Sequence, residues 1–179
     1  FHYRPDVLLN WRLTTRTSLA FTAGWEHRQY LGHAALDMSS PVFSSTLTMN
    51  PFAHTVMNVG VTRTFTSSLF ARRASDGTGW TATLGQRVLG HFQVSLTGAR
   101  QTTNYVSTAS DGPSLRRDRV DEYSTSVGVP IFRRGTASVS YSHRRNSSSE
   151  AGFSFTSRTA SFNLSYAFEG KAPPRDVEE

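Results

Sequence analysis

The sequence predicts an all-β protein: an antiparallel up-and-down transmembrane β-barrel, or the C-terminal part of one. Three observations lead there. Apolar and polar residues alternate at period two along most of the 179-residue chain. The connections alternate between short and long, and the polar parity is built mainly of small neutral residues.

The alternation locates the strands. Val7, Leu9, Trp11 and Leu13 share one parity, with Asn10 and Arg12 on the other. Leu19, Phe21, Ala23 and Trp25 follow, against Ser18, Thr22, Gly24, Glu26 and Arg28. Met57, Val59 and Val61 oppose Asn58, Gly60 and Thr62, and a strand over 67–74 has no parity that its residues decide. Trp80, Ala82 and Leu84 oppose Thr81, Thr83, Gly85 and Arg87; Phe92, Val94 and Leu96 oppose Gln93, Ser95 and Thr97. Tyr123, Val127 and Val129 face away from Glu122, Ser124 and Ser126, as do Ala137, Val139 and Tyr141 from Ser138, Ser140 and Ser142. The last segment, SFNLSYAF, sets Phe162, Leu164, Tyr166 and Phe168 against Ser161, Asn163 and Ser165.

Short links are expected at 14–16, 65–67, 89–91 and 130–135, and longer polar ones at 31–53, 106–118 and 147–157. Asp76-Gly77 reads as a tight turn within 75–78. Residues 42–49, inside the first long link, are a candidate further strand. Pro5, Pro41, Pro51, Pro113, Pro130, Pro173 and Pro174 all fall at strand starts, in connections or in the tail, where no central ladder bond is lost.

Composition narrows the setting. Hydrophobic residues are only 37% of the chain, yet 12% is aromatic, which argues against a disordered polypeptide. No run approaches the roughly 18 apolar residues of a membrane-spanning helix. Cysteine is absent, so neither a disulfide framework nor a thiolate metal site is expected. A soluble β-domain also alternates, but its wet face carries a mixture of charged residues. Here Ser, Thr, Gly, Asn and Gln predominate on that face, which suits the interior of a closed barrel. Lipid is then the expected cover for Leu19, Phe21, Trp25, Val139, Tyr141, Phe162, Leu164, Tyr166 and Phe168. The expected lumen charges are Arg12, Arg28, Arg87 and Arg144 against Glu26 and Glu122.

The net charge of +6 is carried by arginine, Lys171 being the only lysine. A nucleic-acid-binding sheet interleaves basic and aromatic residues on one face. In this chain the aromatics share a parity with aliphatics, and arginines gather near strand ends: Arg72, Arg73, Arg116, Arg117, Arg119, Arg133, Arg134, Arg144 and Arg145. Nucleic acid is therefore not an expected partner. Phosphate on lipopolysaccharide suits an arginine rim better, through charge-assisted hydrogen bonds.

The final strand, SRTASFNLSYAF, resembles the C-terminal strand of Gram-negative outer-membrane β-barrels, and the segments TSLAFTAGWEHRQY and TASVSYSHRR resemble a porin-like family of such barrels. The resemblance implies an outer-membrane location and recognition of the last strand by the barrel-assembly machinery. One departure is that the chain continues past Phe168 with EGKAPPRDVEE, a charged tail over 169–179 whose composition predicts disorder.

Catalysis is not expected. Outer-membrane lipases and deacylases resembling this architecture pair His and Ser in an H-x-S-N stretch, whereas His143 is followed by Arg144, Arg145, Asn146 and Ser147. Glu26 and Glu122 read as partners of arginines, and the histidines are scattered without metal-ligand spacing. No cofactor is expected. The expected function is a passive pore or a structural component of the outer membrane, with residues 1–168 forming the barrel. An outer-membrane hydrolase and a soluble β-rich binding module are the alternatives. Since nine segments with the last running downward make the first run downward too, the polypeptide is expected to extend beyond Phe1.

Overall fold

A computed structural model describes residues 2–28, 38–68, 73–107, 116–131 and 134–166. They form one antiparallel sheet of ten strands with neighbours in sequence order: β1 (His2–Tyr3), β2 (Asp6–Thr14), β3 (Thr17–Arg28), β4 (Met38–Met49), β5 (Thr55–Ser68), β6 (Arg73–Val88), β7 (Phe92–Ser107), β8 (Arg116–Ile131), β9 (Gly135–Ser148) and β10 (Phe155–Tyr166). β1 and β2 both pair with β3, one beyond the other, so the sheet has nine positions. No helix occurs among the described residues. β2 and β10 do not pair with each other, and the sheet stays open.

The strands meander. Links at one end span residues 15–16, 50–54, 89–91 and 132–134; those at the other span 29–37, 69–72, 108–115 and 149–154. The second set is the longer, and transmembrane barrels carry their longer loops outside. That end is the outer end hereafter.

Several expected boundaries move. The long link over 31–53 contains β4, so the candidate at 42–49 is a full strand. The short link at 65–67 lies inside β5, and Asp76-Gly77 lies inside β6, not in a turn. The separate strand at 67–74 is the end of one strand and the start of the next. Gly77 is buried in the sheet, where an added Cβ would stand 3.2 Å from the Thr64 hydroxyl and 3.3 Å from the Gln101 amide. Close approach of neighbouring chains, rather than a turn, explains that glycine. Phe168, the tail over 169–179, Arg72, Arg133 and Pro113 lie outside the described residues.

Pro41 and Pro130 sit within strands, contrary to expectation, but each lies beyond the end of one ladder. Pro41 is opposite Trp25 on β3, while the β4–β5 ladder begins only at Phe43. Pro130 is opposite Thr136 on β9, while the β7–β8 ladder ends at Gly128. Neither position needs a donor on its second side.

The core is minimal. Val42, Phe65 and Ala74 are the buried hydrophobic residues described. At the start of the sheet, Gly24 allows a close approach of the chain around Pro5: its added Cβ would lie 2.6 Å from the Pro5 carbonyl oxygen and would also meet the Asp6 carboxylate. Gly24→Ala is expected to displace β1 and the start of β2 from β3, at a cost of about 1–3 kcal/mol. Gly60→Ala, whose nearest contact would be an ordinary 3.6 Å, should not. The check is the urea concentration at which each variant loses its compact, heat-modifiable band; equal midpoints would refute the assignment.

Candidate functional site

Directly paired residues of an antiparallel sheet project from the same face. Leu19, Leu47, Val59, Ala82, Gly98, Tyr123, His143 and Arg158 are successive cross-strand partners and define one row of one face. This face collects every described residue of the expected apolar set: Leu19, Phe21, Trp25, Val139, Tyr141, Phe162, Leu164 and Tyr166. No described residue covers it. Trp25 is 53% exposed, Phe162 68% and Leu164 63%.

The apolar residues form a slanted belt. Toward the outer end its unbroken run stops at Trp25 in β3, Phe43 in β4, Val61 in β5, Trp80 in β6, Tyr123 in β8, Tyr141 in β9 and Ala160 in β10, and Phe65 in β5 and Ala74 in β6 recur only past the charged residues. Beyond them come Arg63, Arg100, Asp121, His143 and Arg158. Trp25 stands three rows to the outer side of the Leu19 row, and Ala160 one row to the inner side. That fall of four rows is about 26 Å at ~3.3 Å per residue, over seven strand spacings of ~4.8 Å. The strands thus lean about 40° from the belt's normal, within the tilt range of transmembrane barrels. The inner margin falls in parallel, from Leu19 in β3 to Tyr166 in β10.

The opposite face is polar. Asn10, Ala20, Thr46, Gly60, Thr81, Ala99, Glu122, Arg144 and Ser157 form one of its rows. All six expected lumen charges have this parity. Glu122 and Arg144 are direct cross-strand partners. Glu26 is 2% exposed near the outer end of β3, opposite Ser40. Arg12 is opposite Ser18, and Arg87 is opposite Gln93. Arg28 pairs through its backbone with Met38; its side chain is outside the described set. Toward the inner end a groove of about 650 Å³ is lined by His54, Arg87, Gln93, Ser95, Ser126 and Ser138.

The sequence reading missed the ion pairs. On the apolar face's outer margin Arg63 holds Asp76 in a two-pronged contact, with Nη2 at 2.7 Å from Oδ2, and Arg100 pairs with Asp121. These pairs span strands, so only the register reveals them. Arg4–Asp6 and Arg116–Asp118 are two residues apart in one segment, and that spacing was visible.

Arg116 organises the outer end of the polar face, beyond the apolar belt. Its Nε donates to Asp118 Oδ1 at 2.9 Å, and its guanidinium lies 3.5 Å from the Phe153 ring centroid and 4.9 Å from that of Tyr105. Hydrogen bonding from Arg116 holds the Asp118 carboxyl below the usual carboxylate range, with burial pulling the other way. Asn146 Nδ2 donates to the Phe153 carbonyl at 2.7 Å, and the Ser148 amide donates to Ser154 Oγ at 2.9 Å. Together these contacts fold the link at 149–154 over the polar face. Among the described residues no three His, Asp or Glu side chains converge on a common point.

A family model described as the surface lipoprotein assembly modifier matches residues 6–168, which takes in β2 and every strand after it. The chain belongs to the surface lipoprotein assembly modifier family. No curated protein and no solved structure matches the chain. The family is associated with the Gram-negative outer membrane, and the chain is accordingly an outer-membrane protein with a role in surface lipoprotein assembly. The resemblance to outer-membrane proteins therefore holds at the level of the membrane, and the match is to an assembly family, not to a porin-like one.

For this family member the Arg116 contacts predict a local effect. Arg116→Ala should release the link at 149–154 while the belt strands stay paired, since it removes charge-assisted bonds worth about 1.5–3 kcal/mol. Hydrogen exchange should rise at least several-fold at Ser149 and Phe153 and stay unchanged at Val127 and Val139. Uniform protection would reject the latch.

Proposed function

We propose that the sheet is the wall of a passive, non-enzymatic transmembrane barrel whose apolar face meets lipid and whose polar face lines an aqueous bore used in surface lipoprotein assembly. The slanted belt carries this reading: its inclination to the strands is that of a barrel wall set in a bilayer. The small Ser, Thr and Gly side chains of the opposite face leave room for water. His143 supports the non-enzymatic side, since it stands on the apolar face between Tyr123 and Arg158, away from the polar bore.

The face assignment has a direct test. An arginine near the belt's midplane costs roughly 2–4 kcal/mol on the lipid side and far less on the lumen side. Leu164→Arg is expected to impair folding into lipid vesicles, and its neighbour Ser165→Arg to be accepted. Equal yields of the two folded variants would reverse or remove the assignment.

The bore predicts a weak selectivity. Glu122 is matched by Arg144, and Arg12, Arg28 and Arg87 then stand against Glu26, a modest positive excess that attracts anions. The protein reconstituted across a KCl gradient should give a reversal potential of anion sign that fades as salt rises. Cation preference at low salt would overturn the lumen assignment. Absence of conductance, with surface display of a lipoprotein reporter still dependent on the chain, would favour a structural wall over a pore.

A further inference from the structure

The apolar face is not uniformly filled. Between the aromatic residues Trp80 and Tyr123 and the aliphatic pair Leu84 and Leu96, the row carries only Ala82 and Gly98, which are direct partners. The result is a groove of about 490 Å³ running across β5 to β9 and reaching Tyr141 and His143. An added Cβ at Gly98 would meet nothing nearer than 3.8 Å, so the space is open toward the groove.

One row further out, about 7 Å along the strands, the same face turns basic. Arg100, Asp121 and Arg145 are consecutive partners there, Arg119 follows on the next row, and Arg158 pairs with His143 beside them. Arg100 is engaged by Asp121, while no carboxylate among the described residues pairs with Arg119, Arg145 or Arg158. Four arginines against one carboxylate leave a balance of plus three. A narrow apolar trough opening onto clustered guanidinium groups is complementary to a molecule with hydrocarbon chains and more than one phosphate. Arginine binds phosphate through paired, charge-assisted hydrogen bonds.

We propose that this surface is a binding site for a phosphorylated glycolipid of the outer leaflet, with an acyl chain over Ala82 and Gly98 and its phosphates on Arg119 and Arg145. Arg100 stays on Asp121 and shapes the site's edge. The site rests on the face assignment above, and it places a specific lipid at β6 to β9.

Native mass spectrometry of the full chain in maltoside micelles tests it, with bisphosphorylated lipid A as probe. The wild type should hold that lipid about tenfold more tightly than lipid A stripped of both phosphates, the order expected for lost charge-assisted bonds. Inorganic phosphate at the same concentration should not compete. Arg119→Gln with Arg145→Gln should weaken binding about tenfold, and Gly98→Leu should weaken it with every arginine in place. Equal retention of the two lipids, competition by inorganic phosphate, or unchanged binding in both variants would overturn the site. Should the double variant not fold, the two-lipid comparison on the wild type and Gly98→Leu decide the matter. A folding defect of Leu164→Arg in the same preparation keeps the face assignment standing when the lipid result is negative.

Discussion

The organising constraint is that backbone hydrogen bonds must be made between strands wherever the apolar belt is set against lipid. A hydrocarbon layer offers no donor or acceptor, and each unsatisfied group there costs several kcal/mol. Side-chain packing cannot supply the stability here, because Val42, Phe65 and Ala74 are nearly all the apolar core described. Register does the work instead. Once Leu19 is opposite Leu47 and Leu47 opposite Val59, every second residue on nine adjacent positions is committed to one face. A one-residue slip of any strand would turn its aromatic residues into the polar side.

The polar face obeys a different rule. A barrel interior is confined, so its residues must be small or paired. Thr83 and Thr97 are within 3.3 Å through their hydroxyls, and the Thr48 hydroxyl donates to Asn58 Oδ1 at 2.9 Å. Glu122 and Arg144, of opposite charge, are direct cross-strand neighbours on β8 and β9. At the outer end Arg116 lies between Tyr105 and Phe153 and holds the link at 149–154 against the polar face. The two faces together suit a protein of the outer membrane with a role in surface lipoprotein assembly.

Period-two alternation exposed the strands only where the two faces meet different media. In β7 it was legible over Phe92 to Thr97, yet the strand runs on to Ser107. Past Gly98 the outward residues are Arg100, Thr102 and Asn104, so both faces are polar and the signal ends although the hydrogen bonds continue. The same loss turned Asp76-Gly77 into an apparent turn. β4 was legible only as a candidate over 42–49 for a related reason: Ser45 interrupts its apolar parity between Phe43 and Leu47. Phe43, Leu47 and Met49 at even spacing were the available signal. The parity shared by the six expected lumen charges was legible, but their cross-strand neighbours were not, since a pairing such as Glu122 opposite Arg144 depends on register between strands.

Ladder completeness follows the belt. The β4–β5 ladder is the shortest of those joining long strands, running from Phe43 to Met49, and it stops where β4 leaves the belt's outer margin. Beyond that point Pro41, which has no amide to offer, is tolerated because water can serve its neighbours. Pro130 stands at the inner margin under the same condition. The two edge strands are in the opposite situation. Trp11 on β2 and Phe162 on β10 lie within the belt, so the unpaired backbone edges of these strands lie at the same depth. β2 and β10 also run in the same direction, and joining them to each other would make a parallel pair in an otherwise antiparallel wall. Closure with antiparallel pairs throughout requires an odd number of further strands between them, and those strands must carry the same slanted belt for the wall to sit level in the membrane.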